Sequence, residues 1–340
     1  MEPQVGTEVI RAAVQLACRS PSLHNSQPWR WVAVEGDIPT VELHLDPERV
    51  LHATDHSGRQ ALMSCGAALD HFRVAIAAAG WTAHVERFPN PNDRHHLASM
   101  TFTPLAPVTE GHHLRADAIL KRRTDRLPFG EPADWHFVEQ QLRRAVCDEA
   151  VRFDVLDDRL RGELAEASRL SESLRLYDTS YYAELSWWTG KFESQEGIPH
   201  SALVSAAESE RVVINRTFPG ASSGERRIGF GPDRAKIVVL STYDNTGDSV
   251  LRCGEMLSAV LLEATMSRLA TCPLTHITEL QASRDVVGSL IGEPVVPQVL
   301  VRVGEAPELE APPPATPRRD VSEVFEVRHS RPHSGGNDVR

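Results

Sequence analysis

The chain is short of most features that would settle its role at a glance. Its 340 residues hold five cysteines, Cys18, Cys65, Cys147, Cys253 and Cys272, scattered singly with no Cys-x-x-Cys pair. An odd, dispersed set argues against a disulfide framework and fits reduced thiols in a cytosol. Positive charge is in deficit: 36 Lys and Arg stand against 47 Asp and Glu, a formal net charge of −11. That excludes a broadly basic nucleic-acid surface while leaving room for a local basic pocket. Long apolar runs are also missing. The stretch Met256 to Met266 is interrupted by Glu263 and too short to span a bilayer, and the N-terminus has neither a basic nor an apolar leader region. The expectation is a soluble cytoplasmic protein with neither nucleic acid nor membrane as partner. Histidine is plentiful, 15 in all, but His95-His96 and His112-His113 have no Cys or carboxylate at a recognised ligand spacing. Adjacent residues on a strand point to opposite faces, so no metal site is expected. No Gly-x-Gly-x-x-Gly nicotinamide fingerprint is found, and no catalytic triad or carboxylate pair stands out.

What is present is an ordinary globular composition, 41% hydrophobic and 24% charged, on a chain long enough for two domains or one large double unit. The most informative segment is Ser20-Pro21-Ser22-Leu23-His24-Asn25-Ser26-Gln27-Pro28-Trp29-Arg30-Trp31. Two prolines fix φ and remove backbone donors, and each pushes the residue before it out of the α region. The segment is therefore expected as an ordered, irregular loop whose Ser, Asn and Gln side chains and backbone amides point at something. It lies between an apolar helical pattern, Val9 to Cys18, and a strand from Trp29, as a binding loop on a rigid scaffold does.

Periodicity predicts strands over Trp29–Glu35 and Val41–Asp46, a buried helix over Arg59–Ala79 closed by Gly80, and strands over Trp81–Phe88 and His96–Thr103. A helix near Gly111 runs into Lys121-Arg122-Arg123-Thr124-Asp125-Arg126. A helix over Asp134–Glu149, a strand over Val151–Leu156 and helical segments over Arg159–Thr189 follow. Lys236–Tyr243 reads as a strand feeding a helix over Val250–Leu269. Thr271–Ile277, a helix near Ser283–Ile291 and a strand over Gln298–Val303 close the pattern, with a polar tail from Arg328 expected to be disordered. Strand, acidic loop, arginine and long helix recur, and aligning Arg59 with Arg252 superposes Met63 on Met256 and Leu69 on Leu262. Gly190 to Arg234 is rich in glycine and proline with little apolar periodicity, as long functional or disordered loops are.

The string Pro-Ser-x-x-Asn-x-Gln-Pro-Trp resembles the loop after the first helix of the nitroreductase family of FMN-dependent oxidoreductases. The longer string Arg19 to Trp31 is similar to the Acg family, a nitroreductase-like group with two repeats in one chain. The resemblance implies an α+β, nitroreductase-like fold: repeat 1 over residues 1–110, repeat 2 over 111–327 with a lid-like insertion at 190–234, a tail at 328–340, and a monomer whose two repeats mimic a dimer. It also implies FMN as cofactor, with NAD(P)H and nitroaromatic or quinone acceptors as further small-molecule partners. The absent nicotinamide fingerprint then carries no weight, because nitroreductases lack one.

Under the same resemblance Arg122, Arg123, Thr124 and Arg126 match the phosphate clamp Arg-Arg-Ser-x-Arg, with Thr124 keeping the hydroxyl. Guanidinium forks with a hydroxyl donor suit a phosphate dianion. The loop supplies Ser22, Asn25, Gln27, Pro28, Trp29, Arg30 and Trp31. Thr316-Pro317-Arg318-Arg319 resembles the C-terminal segment that returns basic side chains to the phosphate. Thr271 to Thr275 resembles the segment near the outer face of the flavin, although core packing is the plainer role for Cys272 and Leu274. One clamp and one loop imply one composite site per chain, with Trp29 and Trp31 either walling the ring or filling the core. Two functions of different class stay open: an FMN oxidoreductase, or a protein that holds FMN under a lid with little turnover.

Overall fold

The computed structural model describes residues 3–36, 38–190, 196–220, 222, 224–310 and 312–329. The chain begins with helix α1 (Thr7–Ala17), strands β1 (Trp29–Glu35) and β2 (Thr40–Leu45), and the long helix α2 (Arg59–Ala78). Strands β3 (Trp81–Arg87) and β4 (His96–Pro104) complete the first unit, and α3 (Glu110–Lys121) leads out of it. The second unit opens with α4 (Trp135–Ala145) and β5 (Val151–Leu156), followed by α5 (Arg161–Leu174), α6 (Thr179–Trp188) and the short α7 (Ala206–Glu210). Strand β6 (Lys236–Thr242), the long helix α8 (Gly247–Met266), β7 (Ala270–Leu274), α9 (His276–Glu279), α10 (Gln281–Ile291) and β8 (Val296–Gly304) follow. A single turn, α11 (Val321–Val324), delivers β9 (Phe325–His329).

The two sheets share one strand order. The first runs β3-β4-β2-β1 with β9 added at the β1 edge, and the second runs β7-β8-β6-β5. In each, a helix precedes an antiparallel strand pair, a 20-residue helix follows, and the next two strands return to the same sheet. Each sheet has its own apolar core. Trp29, Trp31, Leu69, Phe72 and Met100 fill the first, and Val238, Leu240, Val260, Val299 and Val301 fill the second. Helices α2 and α8 pack between these cores and touch at two glycines. A Cβ built on Gly66 would lie 2.0 Å from the Leu251 carbonyl oxygen, and one on Gly254 would lie 2.1 Å from that of Met63. The paired positions thus run Met63 with Leu251 and Gly66 with Gly254. Counted from the helix starts, Arg59 stands level with Gly247, five residues before the Arg252 that the sequence alignment set against it.

Three further expectations change. The strand over Phe325–His329 was missed, and it pairs in parallel with β1 from Trp31↔Phe325 to Glu35↔His329. A five-residue edge strand beside a polar tail carries too little periodicity to read. The tail expected from Arg328 therefore begins with two residues of β9, and positions 330–340 lie outside the described residues. Among the described residues, the helix with a length and apolarity sufficient to cross a membrane is α2, not Met256–Met266, and 72% of its most apolar window is buried inside the fold. Finally, the segment after Gly190 is not structureless. Ser205 caps α7 and pairs with Glu208, whose buried carboxylate accepts from the amides of Arg226 at 2.6 Å and Arg227 at 3.2 Å. Positions 191–195, 221 and 223 of that segment lie outside the described residues.

Candidate functional site

A cleft opens where the loop after α1, the residues after α3, the start of α2 and the 196–234 segment meet. It has two lobes, of about 760 and about 1090 Å³, which share Pro21, Ser22, His24, Thr124 and Arg126 as a common wall. The loop reaches it by an unusual backbone path. His24, Asn25 and Gln27 adopt φ of 49°, 61° and 53°, the left-handed region that non-glycine residues avoid. Side-chain bonds hold this path: Ser22 Oγ accepts from the Gln27 amide at 3.0 Å, and Gln27 Nε2 donates to the Asn25 carbonyl at 3.3 Å. On the opposite wall, Thr124 bridges to Thr271 on β7, and the Asp125 amide donates to the Thr271 carbonyl at 3.0 Å.

The larger lobe is a cationic chamber. Arg19, Arg122, Arg123, Arg126, Arg226 and Arg318 line it, and Asp125 is the one acid lining it among the described residues. Asp125 is already engaged by Arg227 at 2.5 Å. Arg122 is buried, and its Nε and Nη1 have no hydrogen-bond partner among the described residues. Burial, reinforced by Arg123 and Arg19, pulls its pKa down to about 10. Burial together with Arg122 and Arg19 pulls Arg318 down to about 9. Clustered guanidinium groups that depress one another in this way lack a counter-charge, and a phosphate-type anion is the group their forks match.

The smaller lobe is flatter in chemistry. Leu23, Met63, Phe218, Leu257, Pro273 and Leu274 supply apolar walls, and Gln60, Ser64, Thr275 and His276 supply polar points. Gln60 Oε1 and both ring nitrogens of His24 are buried without a partner among the described residues. Burial, with Arg216 and Arg126 nearby, holds the His24 pKa well below its ordinary value, so its imidazole is neutral. Arg216 reaches this lobe while bonded to Tyr181 Oη at 2.8 Å and ion-paired to Glu279. The Arg126 guanidinium lies 5.4 Å from the Phe218 ring centre, and the edge of His24 meets the same ring.

Of the residues expected from sequence, Ser22, Asn25, Arg122, Arg123, Thr124, Arg126 and Arg318 line the cleft. The others stand back from it. Trp29 and Trp31 are fully buried in the first core, with Trp31 stacked on Phe72 at 5.1 Å, so they fill the core and wall nothing. Arg30 is exposed on the far face of β1, and the Pro28 carbonyl accepts from the Asp46 amide. Gln27 Oε1 accepts from the Arg319 amide at 2.9 Å, and the Arg319 side chain turns to Glu323 and Asp46. These two residues tie the loop to the C-terminal segment. Arg318 does both jobs, since its guanidinium donates to the carbonyls of Cys18, Arg19 and Ser20 at 2.9–3.2 Å. Sequence reasoning missed Arg19, His24, Gln60, Arg216, Phe218 and Arg226. Arg19 directly precedes the informative loop and His24 lies inside it; Gln60 is in the first turn of the long helix; the last three sit in a segment without periodicity.

No protein-family model matches the chain. Among curated proteins it is 68% identical over 96% of its length to a Mycobacterium tuberculosis protein named "Putative NAD(P)H nitroreductase acg", covering 98% of that protein. It is 50% identical over 97% of its length to an uncharacterized M. tuberculosis protein, covering 96% of it. Another M. tuberculosis protein, also named "Putative NAD(P)H nitroreductase", is 37% identical over 94% of this chain, with 91% of it covered. Among solved structures, a protein from Anabaena variabilis described as "a putative nitroreductase" aligns over 90% of each chain at 8% identity and a TM-score of 0.49.

Proposed function

Since the chain belongs to the Acg family of nitroreductase-like proteins, we propose that it binds one FMN in the two-lobed cleft and serves as an NAD(P)H-dependent oxidoreductase. The observation that carries the proposal is the arginine chamber joined to an apolar lobe through Thr124 and Arg126. The residues fit FMN. Arg19, Arg122, Arg126 and Arg226 offer guanidinium donors to a phosphate ester, with the Thr124 hydroxyl between them. The apolar lobe suits a planar ring, and the unpartnered Gln60 Oε1 is an acceptor for a ring N–H. When bound, FMN supplies hydride transfer, and the protein's part is to orient and tune it. Leu23, Met63, Phe218 and Leu274 exclude water from the lobe, and the positive charge of Arg216 favours an electron-rich reduced ring.

The count of one per chain is supported by unequal connectors. Residues 18–28 join α1 to β1 and form the loop wall of the cleft. Their counterparts in the second unit, residues 146–150, are too few to build such a wall, and Asp148 among them is held by Arg252 at 2.9 Å. In this reading the two units form an intrachain pseudo-dimer with a single surviving site. A flavin-to-protein ratio near one after reconstitution is expected, and a ratio near two would reject the composite site. Steady-state NAD(P)H oxidation with a nitroaromatic or quinone acceptor tests turnover.

One observation favours a second reading, a protein that holds FMN with little turnover. Asn215, Arg216 and Phe218 reach over the apolar lobe from the 196–234 segment, while Arg227 anchors that segment to Asp125 and to the Pro128 carbonyl. A segment so placed acts as a lid that limits bulky acceptors. Tightly retained flavin with no acceptor-dependent oxidation is its expected signature. If replacing residues 196–234 with a short linker leaves flavin release and reduction rates unchanged, the segment is no lid.

A further inference from the structure

Away from the cleft, the first sheet carries a cluster that the flavin chemistry does not use. Glu42 and His44 alternate on β2, and His96 stands opposite His44 on β4. One ligand atom from each, a carboxylate oxygen and two imidazole nitrogens, lies within 4.8 Å of the others. The His44 and His96 rings stack 4.5 Å apart at 21°, and His44 Nε2 is 3.0 Å from Glu42 Oε2. The backbone is arranged to make this meeting. Val41↔Met100, Glu42↔Ser99 and Leu43↔Ala98 follow one register, which then shifts so that His44 faces His96 and not Leu97. Such a bulge costs ladder regularity and typically re-aims a side chain. Here it puts His96 on the face that carries His44 and Glu42, while Leu97 stays fully buried in the core.

We propose that Glu42, His44 and His96 form a binding site for a divalent cation of the zinc class. Two imidazoles and one carboxylate make the borderline nitrogen and oxygen set that Zn²⁺ accepts, with a further position left to water. The ligands stand on paired strands, so little ordering is lost on binding. Further acidic groups favour a cation: Glu86 flanks Ser99 on the strand beyond, and Asp93 precedes His96 in the turn. Arg30, across from His44 on β1, is the opposing charge. On binding, the His44 to Glu42 hydrogen bond gives way to two metal bonds, and the displaced Nε2 proton moves to Nδ1 or to water. None of the three residues lines the cleft, so the site is independent of flavin.

The test uses the full-length, tag-free protein stripped with a chelator. Calorimetric titration with Zn²⁺ should give one site per chain, and Co²⁺ should develop the visible bands of a low-coordinate ion. His44→Gln and His96→Gln should each weaken Zn²⁺ binding by at least about tenfold and abolish the Co²⁺ bands. Both replacements keep a polar side chain at the strand position, and melting curves confirm their folding. His84→Gln, on the same sheet but outside the cluster, should change nothing. Affinity unaltered by the His44 and His96 substitutions, or no saturable binding to the parent protein, overturns the proposal.

Discussion

At the scale of single residues, the site is built from groups held where they are costly. His24, Asn25 and Gln27 occupy left-handed backbone conformations, each worth roughly 1–3 kcal/mol of strain. Arg122 is buried with donors unmet. An anion that meets those donors is worth roughly 1.5–3 kcal/mol for each charge-assisted bond. Arg122→Ala and Arg126→Ala should therefore weaken FMN binding by about tenfold or more while leaving riboflavin, which lacks the phosphate, nearly unaffected. Equal losses for the two ligands, read by fluorescence titration, would make these arginines structural. A second residue-scale expectation concerns acid. His71 is fully buried between α2 and α8, its Nδ1 2.9 Å from the Ala67 carbonyl, and burial, with Arg122 adding to it, lowers its pKa to about 3. Below pH 6.5 the unfolded chain takes up a proton at this residue that the folded chain refuses until about pH 3, so stability falls as pH falls through that window. Asp70, raised by burial, works in the opposite sense above the ordinary carboxylate range. His71→Asn should reduce the stability lost between pH 6.5 and 5 by about 2 kcal/mol, as measured by denaturant unfolding at the two pH values.

At the scale of elements, the crossing of α2 and α8 decides how the two sheets sit together. Gly66 and Gly254 are needed because the helix backbones touch there, with no room for a Cβ on either side. Alanine gains about 1 kcal/mol of helix propensity over glycine, but the contact forces the helices apart. Gly66→Ala or Gly254→Ala should cost a net of about 3 kcal/mol or more, read as a lower denaturation midpoint. Gly162→Ala in α5, where a Cβ meets nothing within 4 Å, should hold or raise that midpoint. Most elements were legible in the sequence to within a few residues, because each long helix and each alternating strand writes its own period. The crossing was not legible. Two glycines at the eighth position of two helices look like weak points in a helical pattern until the partner backbone is seen.

At the scale of the whole molecule, the chain closes on itself. The C-terminal segment returns to the start: Arg318 bonds the carbonyls that end α1, Arg319 bonds Gln27, and β9 extends the first sheet. A chain ending at Pro314 should lose thermal stability and FMN affinity together, and full retention of both would show that the closure is dispensable. The sequence by itself determined the local pieces: a proline-held loop between a helix and a strand, an arginine run after α3, and the amphipathic elements around them. These follow from φ restriction and from periodicity, which act over a few residues. Only the tertiary structure decided which pieces face the cleft. It turned Trp29 and Trp31 into the core and Arg319 toward Glu323, recruited Arg216 and Phe218 from an unpatterned segment, and set His44 against His96 through a bulge. Periodicity names the face of an element but not the partner it packs on, and partners distant in sequence are fixed by burial and hydrogen bonding that only the folded chain satisfies.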